Sequence, residues 1–153
     1  MMYRTGVILA QVALSAAIVL ATPASAADFR ADLDPASHDN STRMQVQGEG
    51  AVTGTLTGNR LVLSGRFTGL NAPAVKARLG QADLLGTPAT SFFADLTITS
   101  AASGAISGSL TLTPAQVATL NNQALFIQID SANASPNGSL WGWFLPVPAR
   151  SAR

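Results

Sequence analysis

Two tryptophans one residue apart, Trp141 and Trp143 in the stretch SLWGWFLP, have the type and spacing expected of a binding surface. Residues two apart in a strand point to the same face of the sheet, so a strand here places the two indoles side by side. Phe126 and Gln128 share this spacing in the stretch LFIQID. If exposed, such a face suits a carbohydrate or a protein partner; if covered by the loop 35–48 or by a helix, it belongs to a core.

Catalytic chemistry has few candidate residues in this chain. His38 is the only histidine, and its flanking serine and aspartate do not make a triad, because triads assemble in space. A site built from several histidines is excluded, and Glu49, the only glutamate, has no evident carboxylate partner. The chain has no cysteine, which excludes thiol chemistry and disulfides. We therefore predict a non-enzymatic protein without a catalytic residue, a metal or a cofactor.

The first 26 residues have the pattern of a secretory signal peptide. Arg4 precedes the apolar run VILAQVALSAAIVLA, and small residues at Ala24 and Ala26 mark the expected cleavage site. The run is shorter than the roughly 20 residues that a membrane-spanning helix requires. We predict a secreted or periplasmic protein, without membrane attachment after cleavage, with one domain over 27–147 and a disordered tail over 148–153.

The charge of the mature chain argues against nucleic acid as a partner. Of the nine Lys and Arg residues, Arg4 lies in the leader, so eight basic residues balance the eight Asp and Glu residues. Nucleic-acid binding calls for a basic patch, and the sequence has none.

Alternating apolar and polar residues predict antiparallel strands. Val52, Gly54 and Leu56 alternate with threonines, and the turn Gly58-Asn59 leads into a second alternating run at 61–67. Further strands are predicted at 28–34, 74–80, 92–99, 104–112, 124–131 and 139–146. The fold class that these elements indicate is all-β, an antiparallel Greek-key β-sandwich of immunoglobulin-like or superoxide dismutase-like type with one short helix.

The one predicted helix covers 114–121, in the stretch TPAQVATL. Thr113 can cap it, Pro114 suits its first position, and Gln116 has the spacing of a capping box.

Two strand segments repeat each other in sequence. GAVTGTLT at 50–57 and GAISGSLT at 104–111 match conservatively at every position. The match indicates either an internal duplication or coincidence in a chain rich in these residues, and both alternatives stay open.

The end of the chain resembles the CHRD domain, a module first described as a repeat in chordin and common in exported bacterial proteins. The family has a short helix, a strand of the type Y-V-N-V-H-T and a hairpin of the type P-x-G-E-[IL]-R-G-Q. Here the segment 126–130 corresponds to the strand motif, and the hairpin motif is matched by Pro136, Gly138, Leu140 and Gly142. The stretches FRADLD and RLVLSGRFTGL resemble earlier blocks of the family, so the resemblance covers roughly residues 28 to 146.

Three departures from the family pattern suggest an ion pair. The family's A-H-I-H-x-G block is VKARLG here, so Lys76 and Arg78 replace two histidines, and Asp130 replaces a third. If the family binds metal through these histidines, this chain has lost the ligands. If the three positions are neighbours, Asp130 pairs with Lys76 or Arg78; otherwise they are independent surface charges.

The resemblance implies an exported, non-catalytic binding or assembly module. Two alternatives remain: a metal-binding or superoxide dismutase-like protein that has lost its histidine ligands, and a surface or fibre subunit that self-associates through an unprotected edge strand.

Overall fold

The computed structural model describes residues 25–36, 43, 46–133 and 138–148. These residues form nine strands and one helix: β1 Ala26–Pro35, β2 Glu49–Thr57, β3 Arg60–Thr68, β4 Ala74–Ala82, β5 Ala89–Ile98, β6 Gly104–Thr111, α1 Pro114–Asn121, β7 Leu125–Ser131, β8 Leu140–Trp143 and β9 Leu145–Pro146. Every strand pairing is antiparallel.

Eight of the strands close into a barrel in the order β2-β3-β6-β5-β4-β7-β8-β1, and β1 then pairs with β2. The closing pair runs from Ala26 opposite Thr57 to Leu33 opposite Gly50. The two-residue β9 continues β8 beyond Phe144 and also pairs with β1. The prediction of a Greek-key sandwich is therefore wrong, because the sheet closes on itself where a sandwich would have two separate sheets. Strands of both architectures alternate in the same way, so periodicity could not distinguish them.

The inner faces of the strands form the core, as the alternation of apolar residues requires. Leu125, Ile127 and Ile129 of β7 and Leu79 of β4 are completely buried in it. The helix α1 follows β6 and leads into β7, and it contributes the buried side chain of Leu120.

The start of α1 has the predicted capping box. The Gln116 backbone N–H donates to Thr113 Oγ1 at 3.2 Å, and the Thr113 backbone N–H donates to Gln116 Oε1 at 2.8 Å. Two of the unpaired N–H groups at the helix start are thereby satisfied.

The two repeated segments flank β3 in the same register. Val52 of the segment 50–57 and Ile106 of the segment 104–111 both lie opposite Gly65 of β3, and every other repeated pair shares its partner in the same way. The two segments that match in sequence therefore also occupy equivalent positions, one on each side of β3.

Several sequence predictions fall outside the described residues. They include residues 1–24 of the leader, His38 with most of the loop 35–48, Pro136 of the hairpin motif, and residues 149–153 of the tail. In the part of the chain that the structure describes, no helix has the length and hydrophobicity to cross a membrane.

Candidate functional site

The four residues predicted to share a face lie together on the outside of the barrel. β7 and β8 are neighbours, and their register places Phe126 opposite Trp143 and Gln128 opposite Trp141. The alternate residues of β7 point into the core, so these four side chains point outward. We call Phe126, Gln128, Trp141 and Trp143, together with Phe92 described below, the aromatic face.

The aromatic face is only partly exposed. Phe126 is completely buried although it lies outside the barrel, and its ring meets the edges of two indoles, with centroids 5.8 Å from Trp141 and 5.2 Å from Trp143. Both tryptophans are half-buried, and Gln128 is buried. The tryptophans therefore act as a cover for Phe126 and at the same time present part of each indole to solvent.

The indoles are held in fixed positions. Their ring centroids are 5.6 Å apart and their planes are inclined by 54°. Trp143 Nε1 donates a hydrogen bond of 3.1 Å to the carbonyl of Thr87, in the connection between β4 and β5. Because the Trp143 ring packs on Phe126 and its nitrogen is hydrogen-bonded to Thr87, this side chain can adopt few other orientations.

Phe92 extends the aromatic face onto β5, and the sequence analysis missed it. It lies opposite Gly80 in the register, 36% exposed, with its ring centroid 6.4 Å from that of Phe126. The stretch SFFADL has two adjacent phenylalanines, and alternation alone does not say which one points outward. A bulge in the β4–β5 pairing sets the direction here.

A polar network borders the aromatic face. Arg78 Nη2 donates to Asp130 Oδ2 at 2.8 Å, and Gln128 Nε2 donates to Asp130 Oδ1 at 2.7 Å. The guanidinium carbon of Arg78 lies 3.9 Å from the ring centroid of Phe92. Both oxygens of Asp130 are thus engaged within the protein, which suits a structural role for this carboxylate better than proton transfer.

The three positions singled out from the family pattern do lie together. Arg78 and Asp130 form the ion pair, with side chains that are 25% and 18% exposed. Lys76 lies opposite Asp130 in the register, but its ammonium group is 3.6 Å from Asp95 on the other neighbouring strand. The structure therefore brings Asp130 into contact with Arg78 and directs Lys76 elsewhere.

No protein-family model matches this chain. Searches of curated proteins and of solved structures found no match either. The resemblance to CHRD domains accordingly stays a prediction, and the interpretation of the site depends on its own geometry.

The geometry does not suit a metal ion. Arg78 and Lys76 are cations, and the one carboxylate among the three positions is Asp130, which is already paired. Within the described ranges, no three His, Cys, Asp or Glu side chains come together as a metal would require. The site is better suited to a neutral ligand that stacks on aromatic rings and exchanges hydrogen bonds with planar polar groups.

Two concave regions of the described surface are candidates for a binding site. A cleft of about 330 Å³ borders the aromatic face, lined by Lys76, Arg78, Phe92, Phe93, Ala94 and Asp95. A groove of about 820 Å³ lies on the other half of the barrel wall, with Arg30, Asp34, Glu49 and Arg66 in its lining. We place the candidate site at the aromatic face, because Phe92 gives the smaller cleft an exposed aromatic ring, whereas Phe67, the aromatic residue in the lining of the larger groove, is buried.

Proposed function

We propose that this chain is an exported, non-catalytic binding module, similar to a CHRD domain, and that it binds carbohydrate through the aromatic face. The observation that carries the proposal is the pair of half-buried indoles, with centroids 5.6 Å apart, beside the network of Arg78, Asp130 and Gln128. The apolar face of a sugar ring stacks on indoles, while its hydroxyls exchange hydrogen bonds with planar polar side chains.

Preorganisation supports this ligand class. Phe126 supports both indoles from below, and the Thr87 carbonyl holds Trp143 at its nitrogen. A ligand that stacks on these rings therefore meets side chains that have already lost most of their rotamer freedom, so little further entropy is lost on binding. The network brings no net charge to the site, because Arg78 and Asp130 neutralise each other, and a neutral sugar is compatible with that balance.

The test is a titration of the purified chain with soluble polysaccharides and oligosaccharides, followed by tryptophan emission. Trp141 and Trp143 are the only tryptophans, so the signal comes from the proposed site. We expect a saturable change with at least one sugar class, and a loss of affinity of about tenfold or more for Trp141→Ala, as for aromatic residues at the centre of a binding site.

The matched control is Val62→Ala, which removes an exposed apolar side chain from β3 on the other half of the wall. Melting curves of both variants establish that any loss of binding does not come from unfolding. If no sugar in the panel changes the emission, or if Trp141→Ala binds like the original chain, the carbohydrate proposal is wrong.

A further inference from the structure

The groove of about 820 Å³ lies across the outer face of β1, β2 and β3, and carbohydrate binding at the aromatic face gives it no role. It is concave because the middle strand, β2, contributes the small residues Gly50 and Ala51 between longer side chains of β1 and β3. Its volume lies in the range of about 300–1,000 Å³ that is usual for sites of small ligands.

Only part of the charge in this groove is neutralised within the protein. Arg30 and Asp32 form an ion pair of 2.6 Å. Among the described residues, by contrast, Asp34, Glu49 and Arg66 have neither an ion pair nor a side-chain hydrogen bond. Two carboxylates and one guanidinium in the lining are therefore available to a ligand.

The strand register separates these three charges by sign. The β2–β3 pairing makes Glu49 and Arg66 diagonal neighbours on the outer face, at a distance of about 7–8 Å. The β1–β2 pairing has Leu33 opposite Gly50, so the next residue of β1, Asp34, lies beside Glu49. One end of the groove is thus negative and the other end is positive.

We propose that the groove binds a short peptide with two free termini. The terminal ammonium group lies at Asp34 and Glu49, and the terminal carboxylate lies at Arg66, whose planar guanidinium can donate two parallel hydrogen bonds to it. An extended residue spans at most about 3.3–3.6 Å, so a peptide of about two or three residues matches the separation of the charges. The small residues of the floor, Gly50 and Ala51, leave room for its side chains.

The charge distribution favours a ligand that carries both charges over other ligand classes. A simple anion at Arg66 would be repelled by Glu49, its diagonal neighbour, and a simple cation at Glu49 would be repelled by Arg66 in the same way. A neutral sugar would remove water from all three charges and return no opposite charge to them.

The test is isothermal titration calorimetry of the purified chain with trialanine, which has small side chains and two free termini. Its N-acetylated and C-amidated forms are the matched controls. We expect saturable binding of trialanine and an affinity lower by about tenfold or more for either blocked form, because each leaves one charged end of the groove without a partner. Changes of amide chemical shift on binding should be concentrated in residues 49–51, 66–68 and 103–104, which line the groove.

Two charge variants assign the ends of the peptide. Arg66→Gln should weaken the binding of trialanine by about tenfold or more but change that of the C-amidated form little, since this form has already lost the carboxylate. Asp34→Asn combined with Glu49→Gln should do the same for trialanine and the N-acetylated form. Arg60→Gln, on the outer face of β3 but outside the lining, should leave the binding of all three peptides unchanged.

A third variant tests the groove itself without a change of charge. Ala51→Leu places a larger side chain on the floor, beside Arg66 in the register, and should abolish the binding of trialanine. Melting curves of all the variants establish that they are folded, and the conservative changes at exposed charges keep the result independent of any packing defect at Ala51.

Three results would overturn the proposal. One is the absence of saturable binding of trialanine. Another is equal affinity for trialanine and either blocked form, because the ligand would then need only one of its charges. The third is a loss of affinity in Arg60→Gln as large as that in Arg66→Gln, which would mean attraction by the general charge of the surface.

Discussion

Arg78 and Asp130 join β4 to β7 by an ion pair of 2.8 Å on the outside of the barrel, and the same guanidinium stacks on Phe92 of β5. One side chain thereby connects three neighbouring strands. Arg78 Nε is buried and has no hydrogen-bond partner among the described residues, so the guanidinium depends on its contacts with Asp130 and Phe92. A mostly buried charge of this kind is expensive to leave unpaired.

We expect Arg78→Ala and Asp130→Ala each to lower the free energy of unfolding by about 1–3 kcal/mol, because each leaves a charged partner without its main hydrogen bond. In the double variant, the free energy of unfolding should fall by clearly less than the sum of the decreases in the two single variants. Urea denaturation, monitored by tryptophan emission, gives the free energy of unfolding of all three variants. Lys76→Ala is the control: its pair with Asp95 is largely exposed, and the change should stay within about 0.5 kcal/mol. Strictly additive losses would mean that the pair does not couple the strands.

The two repeated segments allow a matched comparison at Gly54 and Gly108, which both lie opposite Leu63. A methyl group added at Gly54 would lie 2.8 Å from Leu63 Cδ2, within the packed core. One added at Gly108 would lie 2.6 Å from Leu96 Cδ2, but Leu96 is partly exposed and can rotate away.

Gly54→Ala should therefore lower the free energy of unfolding by about 1–3 kcal/mol through overpacking. Gly108→Ala should change the free energy of unfolding by no more than about 0.5 kcal/mol. Moving Leu96 aside costs some free energy, but alanine lowers the conformational entropy of the unfolded chain, which stabilises the fold by a similar amount. Thermal and urea unfolding of the two variants provide the comparison. Equal losses at both positions would contradict the difference in packing.

The capping box gives a third prediction. Thr113→Ala removes the hydroxyl that accepts the Gln116 N–H and should lower stability by about 1 kcal/mol. Gln116→Ala removes the opposite hydrogen bond and keeps the cap residue, so its effect should be smaller. Amide exchange at Gln116 is the local readout, and it should become faster in Thr113→Ala. An unchanged exchange rate there would show that the cap does not hold the helix start.

The fourth prediction concerns the connection between β4 and β5. Trp143→Phe keeps an aromatic ring on Phe126 but loses the hydrogen bond to the Thr87 carbonyl. We expect faster amide exchange in residues 84–88 and a stability loss of about 0.5–1.5 kcal/mol. Trp141→Phe is the control and should leave the exchange of 84–88 unchanged. If the two variants behave alike, the tether at Thr87 has no separate effect.

Local elements could be predicted from the sequence because they depend on neighbouring residues. The alternation after Glu49 and the Gly58-Asn59 turn indicate the first hairpin, and the structure has β2 and β3 there. Thr113 and Gln116 likewise indicate the start of α1. In each case the determining contacts lie within a few positions of each other along the chain.

The closure of the barrel could not be predicted in this way. Whether β1 pairs with β2 alone or also with β8 and β9 depends on the twist accumulated over the whole sheet, which no single segment encodes. The direction of Phe92 was missed for a related reason, since it depends on a bulge in β5. The neighbourhood of Arg78 and Asp130 was inferred from the family resemblance and not from the residues themselves.

The equal register of the segments 50–57 and 104–111 across β3 has a consequence for the order of folding. Since both segments present similar side chains, each edge of β3 can accept either one, and a chain that pairs 104–111 on the wrong side must separate again. The hairpin of β2 and β3 needs only the turn at Gly58-Asn59, whereas β6 arrives from a distant part of the sequence. Short loops close faster than long ones, so β2 occupies its edge before β6 can reach it. The tight turn therefore protects this chain from a kinetic trap that its own repeat creates.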